Sequence, residues 1–171
     1  MMQASYCNTA YESTSMNTIE LLRLTTTTGR TYLIVNMVDD EIMEIIWQGF
    51  TPELIFKAGI DTIADLMIKH HPAGIIFNIL DHKSISKESQ RYAAAATLEY
   101  VKKYFVRTIS RQRFKRVIVA PGDVVLPEAE DQPGGYFLRL SESRVETIVL
   151  RDMEEVYRVF ELQTFQRQSE R

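Results

Sequence analysis

The sequence predicts a single-domain α/β protein in which a mixed β-sheet has helices packed on it. The clearest evidence is the stretch 72–97, where an apolar run, a polar turn starting at Asp81 and a long helical pattern follow one another. The apolar run, 73–80, reads as a strand buried on both faces. Hairpin patterns precede this unit and strand and helix patterns follow it, giving the order (β)ββ-α-β-α-β-(loop)-β-α. A hairpin that leads into right-handed βαβ crossovers makes a mixed sheet.

Composition narrows the class of protein. A chain of 171 residues with 45% hydrophobic and 25% charged residues has the size and balance of one soluble globular domain. Its only cysteine, Cys7, lies in a polar segment, so no disulfide framework is expected, as in a reducing cytosol. No apolar run approaches the roughly 20 residues of a membrane span. The net charge of −3 gives no overall attraction to nucleic acid. We therefore expect a cytoplasmic protein with no transmembrane segment and no nucleic-acid partner.

The N-terminal part is expected to form an arm followed by antiparallel strands. Residues 1–16 are polar and aperiodic, which predicts a flexible arm before a domain over 17–162 and a tail over 163–171. Strands are predicted over 18–24, 31–38 and 41–49, separated by turns at Thr28-Gly29-Arg30 and Asp39-Asp40. In the third strand, Met43, Ile45 and Trp47 share one face, while Glu44 lies on the other.

The first helix is expected to run from Pro52 to about His70. Thr51 offers a capping hydroxyl, Pro52 suits the first helical position, and Glu53 complements the helix dipole. The stripe predicted to face the sheet consists of Ile55, Gly59, Ile63, Leu66, Met67 and His70.

The second half continues the alternation of helices and strands. Ser84 or Ser86 is expected to cap a helix that reaches about Phe105. Its buried stripe is predicted to be Ala93, Ala96, Tyr100, Val101, Tyr104 and Phe105. Strands are expected over 114–120 and 145–150, with an irregular connection over 121–143. Asp152 and Glu155 would cap a final helix whose buried face is Met153, Val156, Tyr157 and Phe160.

This order resembles the SpoIIAA-like fold, shared by STAS domains and the lipid-carrying CRAL-TRIO (Sec14) domains. The resemblance covers roughly residues 31–162 and rests on element order and three features. These are the strand ending in Trp47-Gln48-Gly49-Phe50, the strand-to-helix turn after Asp81, and the closing helix after strand 145–150.

The resemblance implies a non-catalytic protein-interaction or regulatory module with a protein partner and no cofactor. In anti-sigma factor antagonists, the corresponding turn carries an Asp-Ser-Ser-Gly type motif whose serine is phosphorylated to break partner binding. Here the turn reads DHKSISKES, with serines but without that motif. The binding or regulatory turn implied by the resemblance comprises Asp81, His82, Ser84, Ser86 and Ser89. From local physics alone, the same serines are read as helix caps.

Other functions remain open at this point. The protein could carry a small or lipid-like ligand, and it could form a homodimer. A metal-dependent phosphoryl-transfer enzyme would need an acidic pocket, for which the candidates are Asp39, Asp40, Asp81 and Asp123. His70 and His71 point about 100° apart on a helix and are read, with His82, as helix-end and turn residues rather than metal ligands.

A basic stretch is the largest charge asymmetry in the chain. It contains Lys102, Lys103, Arg107, Arg111, Arg113, Lys115 and Arg116 and no acid. It is read either as a solvated helix end and loop or as an anion-binding patch made by Lys102, Lys103, Arg107, Arg111 and Arg113.

Overall fold

A computed structural model describes residues 17–83, 85–105, 113–122, 137–139 and 145–160. The predicted arm, the tail and most of the predicted loop lie outside these ranges. The strands are β1 (Thr18–Thr25), β2 (Thr31–Val38), β3 (Ile42–Gly49), β4 (Gly74–His82), β5 (Phe114–Val119), β6 (Phe137–Arg139) and β7 (Val145–Leu150). The helices are α1 (Glu53–His70), α2 (Lys87–Tyr100) and α3 (153–160), and a π-helical turn, Val101–Phe105, extends α2.

The described strands form one mixed sheet in the order β1-β2-β3-β4-β5-β7-β6. The pairs β1–β2, β2–β3 and β6–β7 are antiparallel, whereas β3–β4, β4–β5 and β5–β7 are parallel. Short turns connect the antiparallel strands β1, β2 and β3. Left-handed backbone conformations occur at Gly29 in the first turn and at Asp39 and Asp40 in the second. The predicted α/β class and mixed sheet are confirmed.

Strand β4 is the fourth of the seven and is covered on both faces. Ile75 and Ile76 point to opposite faces, and their exposed fractions are only 1% and 3%. The apolar run that ends at Asp81 is therefore the central strand, as predicted.

One face of the sheet is covered by α1 and α2 and holds the larger part of the core. Trp47, Phe56 and Phe114 are fully buried there. The aromatic rings of Trp47 and Phe56 lie 4.4 Å apart between centroids, which joins β3 to the first turn of α1. The π-helical turn adds Phe105, whose ring packs edge-on against Phe114 at 5.2 Å. The helices thus contact this face from the carboxyl end of β3, at Trp47, to the amino end of β5, at Phe114.

Helix α3 covers the opposite face of the sheet over β4 and β5. Val156 and Phe160 of α3 pack against Ile76, Val117 and Val119. The helix begins as predicted, since Asp152 Oδ1 accepts a hydrogen bond from the Glu155 N–H at 2.9 Å. Its predicted buried face is wrong at one position, because the side chain of Tyr157 is 41% exposed.

Helix α1 ends where predicted and begins one residue later than predicted. Its predicted stripe is buried at Gly59, Ile63 and Met67 but wrong at Ile55. The buried positions are Phe56, Gly59, Ile60, Ile63 and Met67, whereas Ile55 is 43% exposed. Adjacent helical positions point about 100° apart, so placing Phe56 over Trp47 turns Ile55 away from the sheet. The helix ends at His70, and His71 adopts a left-handed conformation while its N–H donates to Met67 O.

Candidate functional site

The candidate site lies at the carboxyl ends of β3 and β4, between the beginnings of α1 and α2. At this end the chain leaves β3 through Phe50-Thr51-Pro52 and leaves β4 through the turn that begins at Lys83. The two connections are tied together, because the Lys83 N–H donates to Gly49 O at 3.0 Å. The carboxyl end of a parallel sheet is where α/β proteins commonly place their sites.

The five residues of the predicted regulatory turn do not share one surface. Asp81 and Ser86 are exposed, but His82 and Ser89 are buried, with exposed fractions of 7% and 2%. Ser84 lies outside the described residues. Ser86 is the N-cap of α2, since its Oγ accepts a hydrogen bond from the Ser89 N–H at 3.0 Å. The expected capping of α2 is therefore confirmed at Ser86, and Ser89 is buried rather than available on the surface.

His82 is buried because β4 contains a bulge. Ile46 pairs with Asn78, but Gln48 pairs with Asp81, so β4 has one residue more than β3 over this interval. Asn78 Oδ1 accepts a hydrogen bond from the Leu80 N–H at 3.1 Å within the irregular segment. An extra residue reverses the alternation of side chains, which turns His82 towards α1 rather than the opposite face. Its interpretation as a turn residue was therefore wrong.

The imidazole of His82 lies among aromatic rings without a described hydrogen-bond partner. Its centroid is 6.2 Å from those of Trp47 and Phe56, in edge-on arrangements. Neither Nδ1 nor Nε2 has a partner among the described residues. Burial lowers the pKa of His82 from its ordinary value of 6.5, because the charged imidazolium would lose its hydration.

Three further buried polar atoms at this end have no described partner: Trp47 Nε1, Thr51 Oγ1 and Gln90 Oε1. Thr51 was expected to cap α1, yet no side chain caps that helix. The reason is that Pro52, with ψ of 146°, is still extended and itself occupies the N-cap position. Thr51 is therefore one residue too early, and its side chain is only 5% exposed.

An apolar patch is exposed beside this buried polar cluster. We define the patch as Phe50, Leu54 and Ile55, whose exposed fractions are 53%, 81% and 43%. Single exposed apolar residues are ordinary, but three within the stretch 50–55 form a local concentration. Arg30 fixes its edge, because the guanidinium Nη2 donates to Phe50 O at 2.9 Å. The sequence offered one signal for the patch. Leu54, Ile55 and Phe56 are consecutive apolar residues of a helix, and at least one of them must point away from the sheet.

Charged side chains connect α1 to α2 next to the patch. Lys57 Nζ lies 2.9 Å from Glu53 Oε1 and 2.8 Å from Glu88 Oε1. The hydrogen bond with Lys57 lowers the pKa of Glu88. Tyr92 Oη donates to Asp61 Oδ1 at 2.6 Å farther along the same helix pair. These contacts fix the relative positions of the two helices that flank the candidate site.

The acidic residues considered for a metal site do not converge. Asp39 and Asp40 precede β3, at its amino end, whereas Asp81 lies near the carboxyl end of the neighbouring parallel strand β4. An eight-residue strand places the two ends roughly 25 Å apart. Asp123 lies outside the described residues. Within the described ranges, no group of three or more His, Cys, Asp or Glu residues could hold a metal ion.

The basic stretch is divided by the fold. Lys102, Lys103 and Arg113 are exposed, and Lys103 Nζ pairs with Glu99 at 2.5 Å. Arg116 is 7% exposed, because the alternation of β5 points it to the same face as Phe114. Its inclusion in a solvated basic stretch was wrong. Arg107 and Arg111 lie outside the described residues.

Comparison with known proteins returns no match: no family model, no curated protein and no solved structure is similar to the chain by these searches. The resemblance to the SpoIIAA-like fold therefore stays a prediction. None of the helices in the described ranges is long and apolar enough to cross a membrane.

Proposed function

We propose that the protein is a non-catalytic protein-interaction module of the STAS-like, regulatory kind, and that it binds its partner through the apolar patch. The observation that carries the proposal is the exposure of Leu54, whose side chain is 81% exposed beside Phe50 and Ile55. Burying such side chains in a complex contributes roughly 25 cal/mol per Å² of apolar surface.

The shape of the patch favours a polypeptide partner with an apolar pocket or groove. Leu54 is on the first turn of α1 and projects outwards, whereas small-molecule sites are concave and enclose most of the ligand. A projecting apolar side chain on a helix is the form in which helices insert anchors into a partner's groove. The carrier alternative therefore has less support here than the interaction module.

The setting of the patch also suits binding without large rearrangement. Lys57 links the first turn of α1 to α2, and Arg30 holds the Phe50 carbonyl. These contacts hold the backbone that carries the patch, so its ordering contributes less to the entropy cost of forming a complex. The acidic residues support an enzyme less well, because Asp40 precedes the amino end of β3 whereas Asp81 lies near the carboxyl end of β4.

The experiment compares two serine substitutions on the same helix. Immobilised parent protein would be used to recover partners from the cell that makes it, and each would be purified and titrated by calorimetry. Leu54→Ser should weaken binding by about tenfold or more, as expected for an anchor in an interface. Ile68→Ser is the matched control, since Ile68 is 37% exposed on α1 but about 21 Å farther along the helix axis. Equal affinities of both variants for every recovered partner would refute the proposal.

A further inference from the structure

The buried position of His82 is sensitive to protonation. A neutral imidazole has one donor and one acceptor, whereas the imidazolium has two donors and a full charge. The structure offers neither ring nitrogen a partner among the described residues, and the side chain is 7% exposed. A proton taken up in place would therefore remain without hydration and without an acceptor.

No neighbouring charge compensates that proton. The charged groups at this end of the sheet are Asp81 and Lys83 next to His82 in the chain, Glu53 and Lys57 on α1, Lys87, Glu88 and Arg91 on the first turns of α2, and Arg30 beside Gly49. Glu53 and Glu88 both pair with Lys57, and Arg30 donates to a backbone carbonyl. Burial is the only resolved cause acting on the pKa of His82.

Opening of this end of the sheet would also hydrate other buried polar atoms. Trp47 Nε1, Thr51 Oγ1 and Gln90 Oε1 are buried without a described partner, so each would gain a hydrogen bond to water on exposure. Phe56 connects the ring to the surface, because it packs on Trp47 and lies in the same helical turn as Leu54 and Ile55.

We propose that His82 is a pH-sensitive switch: its protonation expels the ring from between Trp47 and Phe56 and loosens the first turn of α1, which carries the apolar patch. The switch is a property of the fold alone. Its consequence for partner affinity rests on the proposed function.

Local opening can be followed without any partner. The hydrogen-bonded backbone amides of two segments would be monitored, namely Phe56 in the first turn of α1, and Lys83, Ser89 and Gln90 after β4. Hydrogen exchange would be measured at about pH 7.5 and about pH 5, values that bracket the ordinary histidine range. After correction for the intrinsic pH dependence of exchange, we expect protection in these two segments to fall about tenfold or more on acidification. Protection in β4 and β5 should change much less.

Substitutions test whether His82 causes the loss of protection on acidification, because the chain has only three histidines. His82→Phe and His82→Gln remove the titrating group, and either folded variant should keep the same protection at both pH values. His70→Gln and His71→Gln are matched controls at the end of α1 and should open as the parent does. Nuclear magnetic resonance of the imidazole protons should show His82 titrating below the ordinary histidine pKa of 6.5. Unchanged protection in the parent, or the same opening in the His82 variants, would overturn the switch while leaving the binding proposal to its own test.

Discussion

Replacement of Gly59 by alanine tests the close approach of α1 to the sheet. An added Cβ would lie 2.5 Å from Trp47 Cη2 and 3.2 Å from Trp47 Cζ2. Real Cβ atoms do not approach a neighbour so closely, and Trp47 has no room to retreat. It is fully buried, with the Phe56 ring at 4.4 Å and the Tyr32 ring at 6.4 Å.

Two effects of opposite sign determine how much Gly59→Ala changes the free energy of unfolding. Alanine in place of glycine within a helix favours folding by about 1 kcal/mol. Overpacking a filled core costs about 1–3 kcal/mol, and a contact as short as that to Trp47 places Gly59→Ala towards the upper end. We therefore expect a net loss of about 1–2 kcal/mol in the free energy of unfolding.

The assay is urea denaturation followed by the fluorescence of Trp47, the only tryptophan. Ala58→Gly is the matched control, because Ala58 is exposed on the same helix and its replacement should show the propensity effect alone, about 1 kcal/mol of destabilisation. If Gly59→Ala is as stable as the parent or more stable, the packing of α1 against Trp47 is not as described.

Three further predictions concern the core, the cap and pH. Ile76→Ala should lower the free energy of unfolding by about 2–5 kcal/mol, because it leaves a cavity between β4 and α3, and chemical denaturation would measure the loss. Ser86→Ala should cost about 1 kcal/mol in the same measurement, since it removes the acceptor of the Ser89 N–H. Burial lowers the pKa of His82 in the folded state, so the unfolded chain binds a proton at a higher pH than the folded protein does. The stability associated with neutral His82 is therefore fully present above its ordinary pKa of 6.5. It is lost as the pH falls from there towards the folded-state pKa. Thermal unfolding across this range should show the loss in the parent and not in His82→Phe.

The sequence was sufficient to predict the order of the elements, because strong periodicity and short turns act locally. The limits of α1 and β7 and the central place of β4 follow from apolar runs and from residues that end them. The buried stripe of α1 was harder to predict from the sequence, since Leu54, Ile55 and Phe56 are all apolar. Only the docking of Phe56 on Trp47 decides which of them faces the sheet.

The candidate site depended on features with little sequence signal. One extra residue in β4 reverses the direction of His82, and a bulge of this kind is determined by pairing with β3. Thr51 looked like a helix cap, but Pro52 remains extended and takes the N-cap position. Both errors involve a shift of one residue, which local patterns do not resolve and which changes whether a side chain is exposed.

The most direct test of the proposed function is a hydrogen-exchange footprint of the complex between the parent and a partner recovered with it. Binding through the apolar patch predicts added protection concentrated in the amides of 50–56, with little change along β1 or around Lys102 and Lys103. Binding at the edge strand or at the basic stretch would instead protect those segments and leave 50–56 unchanged. That second result would contradict the assignment of the apolar patch as the binding surface.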